Sequence, residues 1–471
     1  MSTNPVLNSD QKAALKAIKE FLEHPSINVF ILKGYAGTGK TFLMQQVGKW
    51  LKEKEYSFSL LASTGRAANV LKGKTGFEAK TVHGELYNFN KVDGINDEMF
   101  QNSSNNNIGQ MSLQFLMRQA DEGKMLYIVD EASMLSGDLS KDTLFATFGS
   151  GILLNDFFEV VGKNKVIFVG DPCQLPPVNQ SFSPALDVNW LTQHDRVAVS
   201  FTLKKIERIS QSNDILKLAG IVRDMSEEKS WEFYPKLPAS NFNNVKLHST
   251  EDALLEQYLK KYSDTGTNKT LAIARSNDTV QKINRAMRHN RYGNAHLPLQ
   301  EGEVLLVTQN NYAVPLTNGD FIIVSKLGSI SYKESLRFQN VSVKSVTTDK
   351  EYNLLLSLDC LDSIKGSLTT NQNKALMIDF SYRMRAKNIN VNTPAYKKAM
   401  MEDDYINCLK VTYGYAVTCH KAQGGEWDNV FLFLDNGMYG MHPLELRKWW
   451  YTAITRAREE LHIENNKWRI K

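Results

Sequence analysis

Short apolar runs recur along the first two hundred residues, each ending in Gly, Asp, Ser or Thr before a stretch of helical periodicity begins. Residues 28–33 (NVFILK), 58–63 (FSLLAS), 124–130 (KMLYIVD) and 165–171 (KVIFVGD) read as strands. They are apolar almost throughout rather than alternating, which predicts parallel strands covered on both faces and joined by crossover helices. A second set, 197–203 (VAVSFTL), 269–274 (KTLAIA), 430–435 (VFLFLD) and 460–465 (ELHIEN), again lies beside helical segments. The pattern predicts an α/β fold with two parallel-sheet domains.

Two stretches interrupt it. Residues 84–111 are rich in Asn and contain QNSSNNN at 101–107, which predicts an excursion with a flexible tip. Residues 311–410 carry short alternating runs separated by polar turns, which predicts a small antiparallel β insertion. The resulting division is 1–83 with 112–196 as a first domain, and 197–310 with 411–471 as a second, with 84–111 and 311–410 inserted.

Length and composition agree with that division. The chain has 471 residues, enough for roughly three domains. With 42% hydrophobic and 23% charged residues it has the balance of a chain that folds. A net charge of +5 does not announce a nucleic-acid partner, so any such surface must come from local clustering. Cys173, Cys360, Cys408 and Cys419 lack CxxC spacing, which argues against a zinc site or disulfide framework and for a reducing compartment. Without an apolar signal core or a membrane-length apolar stretch, the expected location is the cytoplasm.

The most informative segment is GYAGTGKT at 34–41, a GxxxxGK[ST] pattern that follows an apolar strand and opens a helical segment. Gly34, Gly37, Thr38 and Gly39 would let the backbone curl so that its N–H groups face phosphate oxygens. Lys40 would reach the terminal phosphates, and Thr41 would hold Mg²⁺. A second strand ends in Asp130-Glu131: Asp130 is suited to the metal shell and Glu131 to orienting the attacking water. Taken alone, such a pair is more often a solvated loop end; beside a phosphate loop the catalytic reading dominates. The strand at 165–171 runs into GDPCQLPP, where the neutral amide of Gln174 could sense a γ-phosphate.

With these segments in place, the sequence resembles helicase superfamily one, specifically its RecD-like and phage Dda-like branch. Gln11 resembles the adenine-contacting glutamine, STGRAA (63–68) and TVHGELY (81–87) the first DNA-contact motifs, VDEAS (129–133) Walker B and GDPCQLPPV (170–178) the coupling motif. Leu203 with Arg208 resembles the fourth motif, VTCHKAQGGEWDNV (417–430) the fifth and YTAITRARE (451–459) the sixth. Ser63 stands where the family commonly has Pro. NGD at 318–320 resembles the start of a Src-homology-three-like barrel.

The resemblance implies two RecA-like motor domains with ATP and Mg²⁺ in the cleft between them. Arg208 and Arg456 would neutralise transition-state charge from the second domain, and Glu426 would contact the ribose. Thr64, Arg66, His83, Thr418 and His420 would contact single-stranded DNA, and Tyr87, Phe89 or Phe100 would form an aromatic wedge at a fork. For Phe89, stacking on a base pair and packing a local core are equally suited to the ring. The helical periodicity of 442–459 places Leu446, Trp450, Ala453, Ile454 and Ala457 on one apolar face.

The implied activity is an ATP-dependent DNA helicase moving 5′ to 3′ as a functional monomer on single-stranded and forked DNA. A single-strand-binding protein is a candidate partner and no membrane is involved. Competing readings are an RNA-directed helicase, a DNA-binding P-loop ATPase without unwinding, a P-loop kinase or switch, and a non-enzymatic DNA-binding or recombination mediator. Stimulation of ATP hydrolysis by DNA, by RNA or by neither separates the enzymatic readings.

Overall fold

The computed structural model describes residues 6–93, 112–120, 123–140, 146–206, 214–227, 235–311 and 313–471. Arg208 and Phe100 lie outside the described residues.

Six parallel strands form the first sheet, in the order Ala79–Thr81, Phe58–Ala62, Leu126–Asp130, Lys165–Gly170, Val29–Gly34 and Ala198–Leu203. Because neighbouring side chains on a strand point to opposite faces, each apolar run feeds two cores. Phe30 and Leu32 pack with the helices Ser9–Glu23 and Lys40–Glu53, whereas Val29 and Ile31 pack with the helix Leu153–Val161. This two-sided burial explains why these strands read as continuous apolar runs.

A second parallel sheet has the order Val245–His248, Ala457–Glu464, Trp427–Phe433, Thr270–Ala274 and Ala416–Thr418. Two expectations need correction. The strand Ala198–Leu203 pairs with Val29–Gly34 and closes the edge of the first sheet, so it is not part of the second domain. An apolar run fixes burial but not the neighbour it pairs with. The helix expected across 442–459 ends at Ile454, and Ala457 begins a strand. Leu446, Trp450, Ala453 and Ile454 are buried as expected, but so are Arg447, Trp449, Tyr451 and Thr452, so this helix is enclosed on several sides rather than on one face.

An antiparallel sheet contains Glu351–Ser357, Leu336–Ser345, Phe321–Lys333, Val304–Val307 and Val411–Tyr413. Its first and last strands in chain order fall outside 311–410, and within that range the helices Leu358–Asp362, Thr370–Ala386 and Pro394–Glu402 follow the strands. A separate three-stranded sheet, Tyr87–Asp93, Ser112–Met117 and Ala146–Phe148, is built from segments between the strands of the first parallel sheet. It therefore includes strands beyond 84–111. Val92 packs among Met377, Phe380, Met384, Tyr396 and Met400, and the Asn392 amide bonds both the N–H (2.8 Å) and the C=O (3.1 Å) of Val92. Two segments some three hundred residues apart are thereby clamped together. Among the described residues, no helix is long and apolar enough to cross a membrane.

Candidate nucleotide and nucleic-acid site

The strand Val29–Gly34 ends directly in the phosphate-type loop. Gly37 and Gly39 take φ of +80° and +77°, a conformation that side chains resist. Gly39 starts the helix Lys40–Glu53 without a side-chain cap, leaving the first-turn N–H groups available to an anion. The Lys40 ammonium is bonded to the carbonyls of Gly34 (2.6 Å) and Tyr35 (3.2 Å), and Thr38 Oγ1 donates to the Tyr35 carbonyl (2.8 Å). Gln11 lies under the loop: its Nε2 donates to the Thr38 carbonyl (3.1 Å), and its Oε1 accepts the Asn8 N–H (3.1 Å) in a capping box. A Cβ on Gly39 would come within 2.5 Å of Gln11 Nε2, so a larger residue would displace that amide as well as strain the backbone.

Two strands to the side, Leu126–Asp130 delivers the acidic pair. Asp130 Oδ1 accepts the Glu131 N–H at 2.9 Å, and Glu131 adopts a left-handed φ of +51° that turns the chain sharply. Burial and the Glu131 charge raise the Asp130 pKa, while Lys40 and Lys74 oppose the rise. Glu131 Oε2 and Gln174 Oε1 are shielded from solvent with no hydrogen-bond partner among the described residues. Unpartnered acceptors of this kind beside a lysine suit an incoming water or a hydrated cation. Asp171, fully buried, shapes the loop that carries Gln174 by accepting the Cys173 N–H at 3.0 Å.

The second domain reaches this cleft through the helix Pro443–Ile454. Tyr451 bonds Asp171 Oδ2 (2.7 Å) and the Ala36 N–H (3.0 Å), Thr452 Oγ1 accepts the Leu175 N–H (2.8 Å), and Gln423 Nε2 donates to the Leu175 carbonyl (3.2 Å). Arg456 is buried, with its guanidinium on the Thr452 carbonyl (3.0 Å), Thr455 Oγ1 (3.1 Å) and the Gly425 carbonyl (3.2 Å). In this arrangement it holds its own helix end and the 417–430 loop.

The residues expected on a nucleic-acid path fall into three groups. Thr64 caps the helix Gly65–Thr75 through the Ala67 N–H (3.2 Å), and Thr418 ends the strand Ala416–Thr418 beside the half-buried His420. The helix that Thr64 caps abuts the segment following Thr418: a Cβ on Gly424 would lie 3.1 Å from that of Ala67. Burial lowers the His420 pKa, so its ring is neutral near pH 7. Arg66 departs from the expectation of an open phosphate contact. Its guanidinium is sandwiched between Trp427 (4.3 Å) and Phe321 (4.9 Å), joining the first domain, the second and the antiparallel sheet. His83 is exposed and packs on Tyr87 (5.7 Å) and Phe148 (5.8 Å), while Phe89 is half-buried with its edge on Phe115 (5.5 Å). Both functions foreseen for Phe89 share that position, and the packing one is directly visible.

Comparison with known proteins agrees with this arrangement. An AAA domain profile matches residues 6–227, and a UvrD-like helicase C-terminal domain profile matches 413–463. The RecBCD enzyme subunit RecD of Buchnera aphidicola is 21% identical over 93% of this chain and 71% of its own length. The ATP-dependent RecD2 DNA helicase of Deinococcus radiodurans is 24% identical over 91% of this chain, which spans 46% of that relative. The chain is similar to the RecD/Pif1-like helicases of superfamily one. The crystal structure of a Bacteroides Pif1 helicase in complex with ADP-AlF3 and single-stranded DNA shares the fold, with a TM-score of 0.50 and 16% identity over 99% of this chain and 95% of that one.

Within this RecD/Pif1-like frame, three residues escaped the sequence reading. Tyr451 was visible only as the first letter of a motif valued for its arginine. Phe115 and Phe148, stacked at 4.5 Å, come from strands outside the Asn-rich excursion, and only the pairing of those strands brings them beside Tyr87 and Phe89.

Proposed function

We propose that this chain is an ATP-dependent DNA helicase that translocates 5′ to 3′ on single-stranded DNA and opens forked duplexes. The observation that carries the reading is the cleft itself. On one parallel sheet a phosphate-type loop and an amide-bearing loop, with a strand-terminal acidic pair beside them, are bonded directly to a helix of a second parallel sheet through Ala36, Asp171 and Leu175. Hydrolysis at such a cleft changes contacts on both domains, which is what a motor requires.

In this reading Gln11 and Glu426 contact the nucleoside, Gly34, Gly37, Thr38, Gly39 and Lys40 bind phosphates, and Thr41 with Asp130 would hold Mg²⁺. The metal supplies charge neutralisation at the β- and γ-oxygens when bound. Glu131 orients the water, Gln174 senses the γ-phosphate, and Arg456 leaves its present partners to face the nucleotide, joined by Arg208. Thr64, His83, Thr418 and His420 contact DNA, and the three-stranded sheet serves as the wedge, with the antiparallel sheet as a Src-homology-three-like barrel. The chain acts as a monomer inside the cell, on DNA that a single-strand-binding protein also covers.

The direct test is ATP hydrolysis with matched single-stranded DNA and RNA. Strong stimulation by DNA is expected. Stimulation by RNA alone would replace the DNA reading, and indifference to both would point to a P-loop enzyme of another class.

A further inference from the structure

The cleft contains a buried phenolic hydroxyl that the hydrolytic scheme above does not use. Tyr451 is 2% exposed, sits five residues before Arg456, and bonds two separate loops of the first domain. We propose that Tyr451 is a positioning residue: its hydroxyl ties the helix that leads to Arg456 to the P-loop and to the Gln174 loop, so that the two domains enter the hydrolytic geometry together.

The geometry supports this in three ways. First, the hydroxyl accepts the Ala36 N–H (3.0 Å) and donates to Asp171 Oδ2 (2.7 Å), so it serves as donor and acceptor at once. Burial and the Asp171 charge keep the phenol protonated well above neutral pH, which preserves both roles. Second, Ala36 immediately precedes Gly37, where φ turns positive and the loop begins to curl, so the bond anchors the loop at its entry. Third, Asp171 uses its other oxygen on the Cys173 N–H, one residue before Gln174, so a displacement of the helix reaches the γ-phosphate sensor through a single carboxylate. Thr452 adds a parallel tie to Leu175 (2.8 Å) from the same helical turn.

The test is Tyr451→Phe, which retains the ring and its packing and removes only the hydroxyl. The inference rests on the reading of the chain as a DNA-stimulated ATPase, and the two can be separated. If the unaltered chain shows no DNA-stimulated turnover, the reading fails and the inference with it. If it is active, kcat of Tyr451→Phe should fall about tenfold, while KM for ATP and Kd for a fluorescent ADP analogue change by less than about twofold. A normal kcat overturns the inference alone, and so does an equal loss of kcat and ADP affinity, which would mark a loosened P-loop. In a double-mutant cycle with Asp171→Asn, the double variant should be no slower than the slower single variant, within about twofold. Fully additive losses would show that the hydroxyl does not act through Asp171.

Discussion

Glu131 combines a left-handed backbone with a carboxylate oxygen that is shielded and unpartnered among the described residues. That combination suits a group held ready for a water rather than one that holds the fold together. Glu131→Gln keeps the shape and removes the carboxylate proposed to orient the water, so kcat for ATP should drop by about 10²-fold or more while nucleotide binding is retained, as read by single-turnover hydrolysis beside an equilibrium binding titration. Gly39 makes a second residue-scale prediction. Alanine there meets both the φ of +77° and the Gln11 amide 2.5 Å away. Gly39→Ala should cost about 1–2 kcal/mol in stability and weaken ADP binding, checked by denaturant unfolding and titration. At this scale the shape of the phosphate-type loop and the position of the acidic pair were legible in the sequence, because GxxxxGKT and a strand-terminal acidic pair have local causes. Arg66 was not: nothing in STGRAA announces that Phe321 and Trp427, remote in sequence, close over the guanidinium.

Among the elements, the strand Ala457–Glu464 carries a device of its own. His462 is buried, stacks on Phe431 at 4.0 Å, and lies 3.0 Å from His248 and 3.4 Å from Glu460, which Lys261 also engages at 2.7 Å. Burial pushes its pKa down to about 4; Glu460 pulls the other way, and His248 and Lys261 add to the depression. The unfolded chain therefore binds the proton more readily than the folded one. The stability held by neutral His462 is complete above the ordinary imidazole pKa of about 6.5 and is lost progressively as pH falls from there towards 4. The thermal midpoint should fall across that window, and His462→Gln, which can still bond His248, should flatten the fall. The clamp at Asn392 is a second element-scale feature. Asn392→Ala deletes both bonds to Val92, which should lower the unwinding rate several-fold while DNA-stimulated ATP hydrolysis stays near normal, because the motor cleft is untouched. Strand positions were largely legible here, since two-sided burial writes itself into the composition of parallel strands. Partners were not. The edge position of Ala198–Leu203, and the clamp between 87–93 and the helices of 370–402, depend on contacts between segments far apart in sequence.

Across the whole molecule, the two parallel sheets meet at the P-loop, at Leu175, and where Arg66 and Ala67 abut the 424–427 segment. A net charge of only +5 is compatible with a motor that must release its track each cycle. The two-domain α/β plan could be read from the alternation of apolar runs and helical segments. The helices after the antiparallel sheet could not, because short polar turns between apolar stretches suit a β meander equally well. The measurement that bears most directly on the central claim is unwinding of forked DNA carrying only a 5′ or only a 3′ single-stranded tail, with ATP and Mg²⁺, beside Lys40→Ala as the motor-dead control. The account predicts strand separation on the 5′-tailed substrate, none on the 3′-tailed one and none with Lys40→Ala; preference for the 3′ tail, or unwinding that survives the loss of Lys40, would contradict it.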